Sequence, residues 1–231
     1  MAASTYFDQV QQLYIAYFGR PADPVGLAYW ASNIDAANGS VAGIVAGFSA
    51  STESQTLFAG STTAQKVSSI YLSLFNRSPE SAGLAYWVAQ IDAGAVTQAQ
   101  AAYQIQSSAG AGDAAAVANK LAAAKAFTAQ IDTAAEIAGY AGASAAASAR
   151  AFLSGVDATA ASLATATAAA TLANAVAAVT LVTTPAPGQT FVLTEATLHD
   201  SGTFTADTDS AVQLVGTLDL STYPAANGVI M

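Results

Sequence analysis

Two stretches of the chain place large apolar residues at helical spacing. Val10, Leu13, Tyr14, Tyr17 and Phe18 recur three and four residues apart, and Val67, Ile70, Tyr71, Leu74 and Phe75 repeat the pattern. Each set predicts an amphipathic helix. Gly19 and Asn76 stand at the ends of these runs, and both residue types tolerate the left-handed conformation that closes a helix. The loops that follow hold Pro21, Asp23 and Pro24 in one case, and Ser78, Pro79 and Glu80 in the other. Asp23-Pro24 and Ser78-Pro79 each read as an N-cap followed by proline at the first helical position. Leu27, Trp30 and Ile34 then mark a second helix, matched by Leu84, Trp87 and Ile91. A third is expected over Val41–Phe48 and Val96–Ile105, entered through Asn38-Gly39 and Gly94.

The two patterns are one pattern stated twice. Residues 10–35 return at 67–92, always 57 positions later and without a gap, and 11 of the 26 aligned positions are identical. The identities include both tryptophans and two of the three arginines. A fixed period of this length marks a duplicated supersecondary unit. Copies over 5–60 and 64–108 make a tandem block within residues 1–112. One copy is too small to bury its aromatic face alone; two packed together can.

From residue 113 to 182 the pattern thins to alanine. Val117, Leu121, Phe127 and Ile131 mark one helix, and Arg150 to Leu153 opens another region ending near Val182. Gly139, Gly142 and Gly155 signal breaks, with Asp157 as an N-cap. Alanine favours helix but packs thinly, so these helices are expected to approach one another closely. Residues 183–231 change texture. Thr183 to Gly188 reads as a linker, and Phe191–Leu193, Thr203–Thr205 and Ala211–Leu220 read as short strands separated by turn residues. The expected fold class is therefore mainly α: a duplicated helical repeat plus Ala-rich helices, followed by a short β-rich C-terminal segment. Three short strands make a poor independent domain, so the ending at Gly228–Met231 reads as that of a fragment.

Composition narrows the function. Hydrophobic residues make up 53% of the 231 and charged residues only 9%, against about a quarter charged in an average soluble protein. The net charge is -9, and no Lys or Arg follows Arg150. Phosphate neutralisation requires clustered cations, which argues against nucleic acid and against a polybasic membrane anchor. Ala158 to Val182 is free of charge and long enough to span a bilayer, but its Thr, Ser and Asn work against insertion. Absence of cysteine excludes disulfides, zinc-thiolate sites and thiol catalysis. Met1 to Thr5 carries no cationic stretch of the kind that opens a signal peptide.

Catalysis finds little support, and the chain is not expected to be an enzyme. His199 is the single histidine, in a turn beside Asp200, and no nucleophile elbow prepares a serine. Gly110-Ala111-Gly112 lacks the lysine of a phosphate loop. Calcium is the candidate cofactor: Asp207 and Asp209 can share a hard cation with backbone carbonyls. Helix capping explains Asp23 and Glu80 more economically than calcium does. Aromatic residues are double-edged. Burying a tryptophan removes on the order of 200 Å² from water, worth roughly 5 kcal/mol, so Trp30 and Trp87 read as core. Tyr17, Tyr29 and Tyr86 are the candidate stacking platforms for sugar rings. Arg20 and Arg77 follow the first helix of each copy directly. They can bond its open carbonyls, pair with the recurring Asp35 and Asp92, or hold a ligand.

The pattern Tyr-x-x-x-Phe-Gly-Arg-x-x-Asp-x-x-Gly-Leu-x-Tyr-Trp resembles a domain of unknown function that recurs in bacterial type I-secreted RTX-type and surface-layer proteins. Phycobilisome linker domains have a related motif. The resemblance covers Thr5–Glu53 and Ala64–Ser108, and the stretches Asn119–Asp132 and Arg150–Leu153 look like its helical continuation. It implies a secreted protein on the outer surface of a Gram-negative bacterium. There the helical region would anchor to lipopolysaccharide or surface polysaccharide, self-association would build the layer, and a calcium-binding β region would follow. The chain departs from that pattern in having no Gly-Gly-x-Gly-x-Asp calcium repeats and no recognisable terminal secretion signal. Two alternatives belong to other classes: a protein–protein scaffolding module, and an accessory domain of a secreted carbohydrate-active enzyme.

Overall fold

A computed structural model describes residues 2–180, and they are mainly helical. The expected β-rich segment, with its linker, lies outside the described residues. After a 3-10 turn over Ala3–Tyr6, the first repeat consists of α1 (Phe7–Phe18), α2 (Pro24–Ala36), α3 (Ala42–Ala50) and α4 (Thr52–Leu57). The second repeat supplies α5 (Thr63–Phe75), α6 (Ser81–Asp92) and α7 (Gln98–Ser107). The Ala-rich part forms α8 (Ala111–Thr128), α9 (Ala134–Gly139), α10 (Gly142–Ser154), α11 (Ala160–Ala166) and α12 (Ala169–Thr180).

The caps carry the repeat. Gly19 ends α1 at φ 69° and Asn76 ends α5 at φ 54°, both left-handed as their residue types foretell. Asp23 caps α2, accepting from the Gly26 N–H at 2.6 Å with Pro24 at the first helical position. The second copy departs from its expected cap. Helix α6 starts at Ser81 rather than after Ser78-Pro79, and Glu80, the counterpart of Asp23, makes no side-chain cap. Ser81 is the counterpart of Pro24, so α6 starts in register with α2, and the Glu80 carboxylate is engaged by Arg77 instead of capping the helix. Helix α4, capped by Ser51, has no signature in the apolar spacing.

Helix α1 is central rather than amphipathic. Eight of its 12 residues are buried, among them Ile15 and Ala16 on the side that the spacing reserved for polar residues. It packs on α2, α5, α7 and α8 at once. The buried Gln11 is satisfied at both ends: its amide donates to Thr128 Oγ1 at 2.7 Å and its oxygen accepts from Ala22 N–H at 2.9 Å. Around α1 lies the main core, built from Val10, Leu13, Phe18, Ile34, Ile44, Val67, Ile70 and Leu74, with Ala123 and Ala124 of α8 against it.

A second cluster joins Phe127, Ile131, Tyr140, Ala145 and Ala149 to Leu172, Val176 and Val179. The alanines allow close approach. A Cβ on Gly139 would lie 2.9 Å from the Thr180 Cα, so α9 and α12 touch backbone to backbone. Two details of the Ala-rich reading are corrected. Arg150–Leu153 is the last part of α10, which begins at Gly142. Asp157 is not an N-cap: Thr159 caps α11, while the Asp157 carboxylate accepts from the Thr159 N–H and hydroxyl. Those hydrogen bonds, with Ser162 adding to them, hold its pKa down at about 2. No helix among the described residues is long and apolar enough to cross a membrane. The charge-free stretch breaks into α11 and α12, bent by 60° between them, and satisfies a span's length and composition only as that broken pair.

Candidate functional site

Each repeat builds the same arginine cluster. Arg20 Nε and Nη2 bond the two oxygens of Glu53 at 2.8 and 2.6 Å, and Nη1 donates to the Pro21 carbonyl at 3.0 Å. Arg77 Nε and Nη2 bond the two oxygens of Asp113 at 3.0 and 2.6 Å, and Nη1 donates to the Ser78 carbonyl at 3.0 Å. Both are the bidentate fork that suits a carboxylate. Each guanidinium also lies over two rings of its own helix: Tyr14 and Phe18 for Arg20, Tyr71 and Phe75 for Arg77. These carboxylates, not the recurring aspartates, are the arginines' partners; Asp92 accepts from Thr63 Oγ1 instead.

The surroundings differ. Arg20 is capped by Tyr140, whose hydroxyl accepts from Nη1 at 3.2 Å and donates to the Pro21 carbonyl at 2.6 Å. Burial pushes the Tyr140 phenol up to about 12. Burial works against the Arg20 charge, but the Glu53 hydrogen bond and the charge interactions with Tyr140, Glu53 and Tyr14 together outweigh it, so the guanidinium is held above its ordinary value. The Arg20 side chain is 10% exposed, that of Arg77 37%. Arg20 is therefore a structural group sealed from any ligand, and Arg77 has its donors committed to Asp113, Glu80 and Ser78.

The tyrosines divide. Tyr17 is buried and shares a 2.7 Å hydrogen bond with Ser54, so it is core rather than platform. Tyr29 and Tyr86 are 57% and 55% exposed at equivalent places on α2 and α6. Each stands edge-on to its neighbouring indole, with centroids 4.8 and 5.0 Å apart. Trp30 and Trp87 are half-buried against the main core. Gly47 on α3 is required beneath Trp30, since a Cβ there would overlap the indole ring.

A groove runs between the two repeats. Its walls are Tyr17, Phe18, Leu57 and Phe58 from the first copy and Ser61, Gln65, Ser69 and Ser73 from Ser61 to the end of α5; Arg150 of α10 also lines it. Its volume is about 160 Å³. Gly19 borders it, and a Cβ there would press on Ser73 Oγ at 2.8 Å. No group of three or more potential metal ligands occurs among the described residues, and Asp207 and Asp209 lie outside them.

A family model described as a domain of unknown function (DUF4214) matches residues 3–58 and again residues 59–112. Each repeat is similar to this domain. No curated protein and no solved structure matches the chain. The two repeats meet along α1 and α5, and their facing surfaces form the groove. Asp113, which clamps Arg77, falls just past the second matched segment, whereas its counterpart Glu53 lies inside the first.

Sequence reasoning missed Glu53, Asp113, Tyr140 and Arg150. The first two sit 33 and 36 residues beyond their arginines, so a gapless 57-residue alignment does not superimpose them. Arg150 did carry a signal. It is the third arginine of a chain with six basic residues, standing alone in the otherwise uncharged run 137–156.

Proposed function

We propose that the DUF4214 pair and its Ala-rich helices form a non-catalytic anchoring module of a secreted surface-layer or RTX-type protein. It binds lipopolysaccharide or another surface polysaccharide of a Gram-negative cell. The observation that carries this reading is the duplicated Tyr–Trp pair. A core does not require a tyrosine left more than half exposed, yet both copies keep one at the same place, braced edge-on by an indole. A braced aromatic face is a platform for the apolar side of a sugar ring. Two such platforms on one compact unit suit a ligand that itself repeats, since the second contact forms at high effective concentration.

Retention of the purified protein on lipopolysaccharide, and on cells stripped of their surface layer, tests this with and without calcium. Replacing Tyr29 and Tyr86 together by Ala is expected to weaken retention at least tenfold while leaving the thermal midpoint within a few degrees. Absence of retention in wild type under both conditions sinks the reading.

Self-assembly is the second reading, and α6 favours it. None of its residues is buried, and Leu84, Trp87, Val88 and Ile91 pack on the core only in part, with Leu72 of α5 52% exposed. Concentration-dependent light scattering that ignores added polysaccharide would decide for it.

A further inference from the structure

We infer that the groove between the repeats is a subsite for one acidic sugar residue, held by Arg150. The inference rests on the polysaccharide reading and adds a charge requirement to it. Arg150 is the under-committed cation of the cluster. Its Nη1 reaches Glu53 Oε1 at 3.1 Å, an oxygen that already accepts from Arg20 Nε at 2.8 Å. Among the described residues Arg150 makes no other hydrogen bond, so one carboxylate serves two guanidinium groups and most of the second fork is left over. A guanidinium only 27% exposed at its side chain is partly stripped of water, and its remaining donors seek an acceptor.

The lining states which kind of acceptor. Phe18 and Phe58 supply apolar surface, and Ser61, Ser69, Ser73 and Gln65 supply hydroxyls and an amide. Ser69 Oγ donates to the Lys66 carbonyl at 2.8 Å and keeps its acceptor sites open. That mixture fits a hydroxylated ring with one carboxylate: the fork takes the carboxylate, the serines take hydroxyls, and the phenyl rings cover the ring's C–H face. The net charge of -9 repels a uniformly acidic polymer. The ligand is therefore a largely neutral glycan carrying an occasional acidic sugar.

Cellobiose and cellobiouronic acid differ by one hydroxymethyl group oxidised to a carboxylate, and they are the probes. In a 15N-NMR titration at low salt, the acid is expected to shift the Ser69 and Ser73 amides with an affinity at least tenfold above that of cellobiose. Arg150→Gln is expected to abolish that preference. Because Arg150 also touches the Glu53 cluster, Ser69→Phe serves as the second variant: it fills the groove without touching the ion pairs, and it too should remove the preference. Equal affinity for the two disaccharides, or a preference that survives both variants, overturns the inference. So does equal or tighter binding of an acidic dipeptide at the same amides. Retention on cells that depends on Tyr29 and Tyr86 but not on Arg150 likewise overturns it while leaving the anchoring role intact. A tenfold acid preference without cell retention supports the subsite and removes only the anchoring role.

Discussion

The two repeats share a motif and differ in what surrounds it. In the first, Arg20 sits under Tyr140 with Glu53 clamped beneath it, and α1 is enclosed by helices on every side. In the second, the same fork on Asp113 remains more than a third exposed, and α6 buries nothing completely. The left-handed residue after the first helix follows the same division. Copy one has Gly19 there, at φ 69° and with the Ser73 hydroxyl within 2.8 Å of where a Cβ would lie. In copy two, Asn76 uses its side chain as a clamp: Nδ2 donates to the carbonyls of Ser154 and Val156 at 2.9 and 3.0 Å, closing the end of α10. Its oxygen accepts from the buried Lys120 ammonium at 2.9 Å, which also donates to the Leu153 carbonyl at 2.8 Å. Identical local sequence thus carries unequal energetic weight, set by how much water each copy keeps.

The sharpest way to break the comparison is to remove each arginine. Arg20→Ala removes a buried guanidinium and leaves the partly buried Glu53 carboxylate to Arg150 alone, and is expected to cost roughly 3 kcal/mol. Arg77→Ala, at a water-exposed fork, should cost about 1 kcal/mol or less. Urea unfolding of the two variants measures both, and equal losses would show the copies to be energetically equivalent.

Lys120 gives a pH test that only the second copy's clamp can produce. Burial lowers its pKa to about 8, against the partial opposition of Asp157. The unfolded chain holds that proton up to about 10.4. Between these values the unfolded state binds more protons, so this group makes stability rise with pH, by at most about 1.4 kcal/mol per unit. The buried Tyr14 and Tyr140 phenols, both raised chiefly by burial, act in the opposite sense above about pH 10, where only the unfolded chain ionises. Stability followed from pH 7.5 to 9.5 should rise more steeply in wild type than in Lys120→Met. Parallel curves would remove the lysine from the account.

Exchanging the left-handed residues is expected to cost less than the loss of Arg20. Asn76→Gly keeps the backbone conformation and loses the bonds to α10, for about 1–2 kcal/mol. Gly19→Asn keeps a tolerated residue type but pushes into Ser73, for about 1 kcal/mol. A Gly19→Asn protein as stable as wild type would mean the groove is looser than its geometry says.

Local features were readable in advance because they are written locally. The apolar spacing of α1 and α5, the Gly19 and Asn76 ends and the Asp23-Pro24 start all depend on residues within a turn of one another. Tertiary partners were not readable in this way. Nothing in the 26 aligned positions points to Glu53, Asp113 or Tyr140, since each arrives from outside the repeated window. The Tyr17 hydroxyl gave no sign that Ser54 would satisfy it inside the core. At the candidate site, spacing marked Tyr29 and Tyr86 but could not separate them from Tyr17. Exposure makes that distinction, and it depends on which helices come to rest where.

The carboxylate that closes the second copy is contributed by the helix that follows it. A cut after residue 112 would respect the repeat as a unit of sequence and still remove Asp113 and the Lys120 clamp together. The piece that recurs and the piece that folds are thus offset by one element. The first copy carries its own carboxylate, Glu53, whereas the second takes its carboxylate from the Ala-rich helix that follows it.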